Sequence, residues 1–187
     1  MDYIIAGLGN PGKKYEKTRH NTGFMALDFM AEKLDVKIES EKFKALYGIG
    51  EIEGKKVLFL KPQTFMNLSG FSVLAAITFY KVSPENTLLI FDDVLLPVGK
   101  MRIRKSGSHG GQNGVKNIME LCGADNFPRI KIGIGDKPNL DWDLADWVLS
   151  SFSAEEQKSL EAVFKNAYEA AKLIISGETD EAMNRYN

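Results

Sequence analysis

Apolar residues along this chain of 187 residues fall into short continuous runs and helical stripes that follow one another in turn. The first run, Tyr3-Ile-Ile-Ala6, is unbroken, the pattern of a strand buried on both faces. It leads into a glycine loop, Gly7-Leu-Gly-Asn-Pro-Gly12. A basic stretch from Lys13 to His20 follows. Phe24, Leu27, Ala31 and Leu34 then recur at helical spacing, with Asn21 placed to cap a helix reaching about residue 34. Residues 46–52 and 57–60 read as two strands turning at Gly54. The loop 61–70 enters a second helix ending near Tyr80. Residues 87–91 form another buried run and deliver Asp92 and Asp93 at its end.

Residues 100–104 alternate basic and apolar, a strand pattern that recurs over 129–135. Between them lie a Gly/Ser loop, 106–114, and a helix to about Leu121. The end is helical: Ser153-Ala-Glu-Glu156 has capping-box spacing, and Leu160, Val163, Phe164, Ala167, Ala171 and Ile174 form an apolar stripe. Strands alternating with helices, without a dividing linker, predict one α/β domain over 1–187. Its core is a central mixed, twisted sheet with helices on both faces. Ligands of such sheets lie beyond the carboxyl ends of the strands, where Asn10 and Asp93 could face one crevice.

Charge changes this picture more than composition does. The net charge of -1 speaks against a nucleic-acid partner, yet residues 136–187 hold 11 acidic and 5 basic side chains while residues 1–135 hold 14 and 19. A basic body with an acidic end is compatible with a local polyanion site. Lys100, Arg102 and Arg104 share one strand face, with Lys105 beyond them, and Arg129 and Lys131 repeat the pattern; an edge strand guarded by charge would look the same. The single cysteine, Cys122, excludes an internal disulfide and a multi-cysteine zinc site. The run before Gly7 is too short for a signal-peptide core, and no apolar stretch approaches the ~20 residues that cross a bilayer. The cytoplasm is the expected compartment.

Few residues offer chemistry. The loop letters Gly7-x-Gly9-x-x-Gly12 match a dinucleotide fingerprint. However, Pro11 and a polar stretch part the loop from its helix, and no acid ends a strand about 20 residues on. Of two histidines, His20 lies in a polar loop, able to accept a proton near neutrality. A carboxylate would hold its other ring nitrogen. Asp93, at the strand end, is preferred for this, with Asp92 as the rival; alternation sends neighbours to opposite sides, so only one should face the site. No Gly-x-Ser-x-Gly motif supports a serine nucleophile, and no spacing supports a metal site. Asn10, Asn67 and Asn113 lie in loops, where asparagine serves turns or steadies a carbonyl oxygen turning anionic.

These segments together resemble the bacterial peptidyl-tRNA hydrolase family. The resemblance is carried by Gly7-Leu-Gly-Asn-Pro-Gly-x-x-Tyr15, Thr18-Arg-His-Asn-x-Gly23, Lys61-Pro-x-Thr-Phe-Met-Asn-x-Ser-Gly70, Asp92-Asp93, Gly110-Gly-x-Asn-Gly114 and Ile132-Gly-Ile-Gly135. It implies hydrolysis of the ester joining a peptide to its tRNA. His20 would be the base that activates water, Asp93 the group that orients it, and Asn10 the discriminator of blocked from free aminoacyl groups. Tyr15, Phe65, Asn67 and Asn113 would contact the tRNA end and the peptide, Met66 would line the crevice, and Arg104 and Lys131 would grip the terminal phosphate. No cofactor or metal, protein partner or membrane is called for, and a monomer acting on peptidyl-tRNA is expected. One departure is Gln112, where the family commonly has histidine; it donates and accepts hydrogen bonds but carries no charge.

Overall fold

A computed structural model of the chain describes residues 1–187. The buried run forms β1 (Tyr3–Gly7), every residue of which is buried. It pairs in parallel with β4 (Lys55–Pro62) on one side and β5 (Thr87–Asp93) on the other, and β5 pairs in parallel with β7 (Arg129–Gly133). The rims are antiparallel: β3 (Ala45–Ile52) on β4, β2 (Ser40–Lys42) on β3, and β6 (Met101–Arg104) on β7. The seven-stranded order β2-β3-β4-β1-β5-β7-β6 makes the sheet mixed.

Each face buries its own apolar cluster. Ile5, Leu88, Ile90, Ile130 and Ile132 pack with α1 (Thr22–Lys33), α5 (Ala154–Ile175) and α6 (Thr179–Tyr186). Ile4, Ala6, Leu89 and Phe91 pack with α2 (Ser69–Tyr80) and α3 (Asn113–Cys122). Alternation along the strands thus decides which side chain meets which helix layer.

Helix entry follows the sequence in one place and departs from it in another. Ser153 and Glu156 close the expected capping box on α5. Asn21 occupies the cap position of α1 but makes no cap bond. Its side chain instead brackets the backbone of Asn10, accepting from the Asn10 N–H at 2.8 Å and donating to the Asn10 carbonyl at 2.9 Å. The glycine loop is thereby tied to the turn that carries His20.

Glycine permits this contact by bulk rather than by a phosphate-cradling loop. A Cβ on Gly23 would lie 2.3 Å from the Ile90 carbonyl oxygen, and one on Gly9 would lie 2.7 Å from the Phe24 ring. The start of α1 therefore rests directly on the ends of β1 and β5. The short helix α4 (Leu144–Val148), strand β2 and the break between α5 and α6 at Ser176-Gly177 have no counterpart in the sequence reading.

Candidate active site

His20 stands in a 3-10 turn, Arg19–Asn21, just before α1. Its neighbour Arg19 fixes that turn. The buried guanidinium of Arg19 donates to both carboxylate oxygens of Glu156, at 2.9 and 3.1 Å, and lies between the rings of Trp147 and Phe152. Arg19, read from sequence as part of a basic stretch, is thus a clamp onto α4 and the start of α5.

The carboxylate that reaches His20 is Asp92, and this corrects the expectation of Asp93. The His20 Nδ1 lies 2.8 Å from Asp92 Oδ2, and Asp92 is only 4% exposed. Parity along β5 gives the reason. Asp92 follows Leu88 and Ile90, which face the α1 layer; His20 precedes α1, so it meets Asp92. Asp93 points the other way, accepts the Leu95 N–H at its own turn and lies beside Lys131. Because a carboxylate only accepts, Nδ1 carries the hydrogen, and the neutral ring offers its lone pair at Nε2.

Burial disfavours the charged form of His20, but the charge and hydrogen bond of Asp92 outweigh it, so the imidazole holds its proton above the ordinary histidine range. A cavity of about 220 Å³ opens here, lined by His20, Asp92, Asp93, His109, Gln112, Asn113 and Lys131, with Val94 and Val148 among its apolar walls.

Asn10 lies against a second depression with Asn21, Lys61 and Gln63. Its Oδ1 accepts the Met66 N–H at 2.8 Å, which turns its amide NH₂ outward without a partner in the protein. Met66 Sδ in turn meets Gln112, which donates to Asp92. Asn10 and His20 are therefore joined by a continuous chain of contacts through Met66, Gln112 and Asp92.

Of the other expected contact residues, Asn113 lines the first hollow, while Tyr15, Phe65 and Asn67 line neither. Phe65 is 54% exposed, has φ of 61° and meets Tyr15 edge-on at 6.4 Å. A non-glycine residue held in the left-handed region costs conformational energy, and such positions cluster at functional sites. Asn67 lies exposed on the following turn, and Asn113 opens α3 at the cavity wall.

The basic strands divide. Arg102 and Arg104 are exposed, and Lys131 faces the cavity directly across the ladder from Arg102. Burial lowers the hold of Lys131 on its proton; Asp93 opposes that effect, and Arg129, Arg104 and Arg102 add to it. Arg129 does not belong to the accessible patch. It is 1% exposed and donates to the carbonyls of Ser108, Asp125 and Phe127, anchoring the 106–112 loop.

An imidazole–carboxylate pair at the carboxyl ends of parallel strands, in an open cavity with loop amides and a cation in its wall, defines the site of this α/β protein. A sequence model of the peptidyl-tRNA hydrolase family matches residues 4–187, and the chain belongs to that family. It is 53% identical to a peptidyl-tRNA hydrolase of Agathobacter rectalis over 186 residues, 99% of this chain and 100% of that protein. A Clostridium novyi protein of the same name is 49% identical over 99% of this chain and 97% of its own length. The crystal structure of peptidyl-tRNA hydrolase from Acinetobacter baumannii superposes with a TM-score of 0.92 at 36% identity, covering 98% of this chain and 93% of that one. A uridine phosphorylase from Vibrio fischeri shares the fold alone, with a TM-score of 0.56 at 8% identity.

Proposed function

We propose that this protein hydrolyses the ester between a peptide and its tRNA, with His20 as general base held by Asp92. The observation that carries this reading is the Nδ1–Oδ2 hydrogen bond at the wall of an open cavity that also holds Asn113 and Lys131. The His20 Nε2 takes a proton from water as the water oxygen attacks the ester carbonyl. The carbonyl electrons move onto oxygen, where amide donors such as Asn113 and the free NH₂ of Asn10 steady the charge. Collapse of the tetrahedral intermediate expels the tRNA ribose oxygen, which recovers the proton from His20. General-base help of this kind supplies about 10²–10⁴-fold, and positioning supplies the rest.

Water, not a side chain, is the nucleophile in this scheme. Burial pushes the Cys122 thiol up to about 11, and Cys122 lies at the far end of α3. Ser69 donates to the Met66 carbonyl within its own turn. The exposed Arg104 and the cavity-facing Lys131 are suited to the phosphates of the tRNA end, and Tyr15, Phe65 and Asn67 to the sugar, base and peptide around the ester. The chemistry requires no cofactor, and one chain supplies every group, so a monomer in the cytoplasm, where tRNA is used, suffices.

The test is hydrolysis of N-acetylaminoacyl-tRNA against free aminoacyl-tRNA. Only the blocked substrate should be cut, and His20→Ala should lose turnover while retaining tRNA affinity. Normal turnover by that variant would remove His20 from the mechanism.

A further inference from the structure

Gln112 caps α3, and its two amide atoms are engaged on opposite sides. Oε1 accepts the Val115 N–H at 2.9 Å; Nε2 donates to Asp92 Oδ1 at 3.0 Å and approaches Met66 Sδ at 3.2 Å. The amide cannot be reversed. Turning it would set N–H against the Val115 N–H and oxygen against the Asp92 carboxylate. Space for the side chain comes from Gly114, where a Cβ would fall 2.6 Å from Met66 Sδ and 3.0 Å from Gln112 Oε1. The residue is 9% exposed, so its side chain is largely shielded from bulk water.

The Asp92 carboxylate is therefore held at both oxygens, by Gln112 at Oδ1 and by His20 at Oδ2. Without the amide, the carboxylate could rotate about its own axis and take His20 with it. Its negative charge would also be shared with one donor instead of two, which strengthens its hold on the imidazolium.

We propose that Gln112 is a positioning residue that fixes the Asp92 carboxylate and thereby sets both the angle and the proton affinity of His20. This rests on the reading of His20 as the base. Other charged groups near His20 are Asp93 from the end of β5, Lys131 from β7 and His109 from the loop before α3, all lining the same cavity. Arg19 is turned away onto Glu156. None of these is altered by changing Gln112.

Two variants separate positioning from helix capping. Gln112→Ser keeps an N-cap hydroxyl for α3 but is too short to reach Asp92. Gln112→Met keeps the shape and offers no donor. In both, kcat on N-acetylaminoacyl-tRNA should fall roughly ten- to hundredfold, the weight of one hydrogen bond to a charged group, with KM within about twofold. In Gln112→Met, the His20 ring protons followed by NMR should titrate at higher pH than in the parent, and the acid limb of kcat/KM should move with them. Unchanged kcat in both variants overturns the proposal, as does an unmoved His20 titration, even if melting temperature drops. If the parent does not cut the ester at all, the functional reading falls by itself, and the NMR titration still decides the role of Gln112.

Discussion

At the scale of single residues, the proposed function turns on one proton. Asp92 holds it on His20 beyond the ordinary range, and two opposite pH dependences follow. The base must be neutral to act, so kcat/KM should fall as pH drops through the raised pKa, with its acid limb above about 6.5. Stability runs the other way. Because the folded state binds this proton more tightly than the unfolded chain, the pair contributes fully below about 6.5, and that contribution is lost as pH rises through the folded value. A kinetic pH profile beside thermal melts of the parent and His20→Ala checks both; an acid limb at or below the value of free histidine would contradict the pairing. The sequence made both candidate acids visible, and alternation led to the expectation that only one would face the site; both line the cavity, but only Asp92 reaches His20. The choice between them needed the face on which α1 packs, which no periodicity in α1 or β5 reveals. Arg129 shows the same limit. Its strand position matched Lys131, but a loop from elsewhere in the chain covers it.

At the scale of elements, the site depends on how closely α1 meets β1 and β5. The sequence showed glycines near the loop but not what fills the space they leave, since their neighbours come from distant strands. Gly23→Ala is the sharp probe. Its methyl group would meet the Ile90 carbonyl oxygen and the Leu8 backbone, neither of which can turn aside. The expected loss is about 1–3 kcal/mol in urea unfolding, with lower turnover because His20 precedes this contact by one turn. An unchanged unfolding midpoint would mean that α1 is free to shift. Long, strongly patterned elements such as α5 were legible because capping box and stripe agree. The short α4 was not, since it buries no residue of its own.

At the scale of the whole molecule, the division of charge seen along the chain becomes a division across the sheet. Met101 and Ile103 of β6 face the α5 and α6 layer, so Arg102 and Arg104 face away from the acidic C-terminal helices. Part of that acidity is spent internally, as in Lys105 with Asp180 at 2.7 Å. A polyanion approaching the β6–β7 side of the cavity would therefore meet cations. Arg104→Ala should weaken binding of all tRNAs alike and reduce the slope of log affinity against log salt by about 1. Filter binding of several tRNA species over a salt series measures this, and a loss confined to one species would mean that bases are being read.

The clamp on Arg19 also makes the protein a gauge of itself. Its only two tryptophans, Trp142 and Trp147, lie edge to face at 5.7 Å, and the second bears the guanidinium of the residue next to His20, 3.8 Å from its ring. Intrinsic indole emission from this chain, commonly taken as a report on global unfolding, is here a signal from a single wall beside the turn that carries His20.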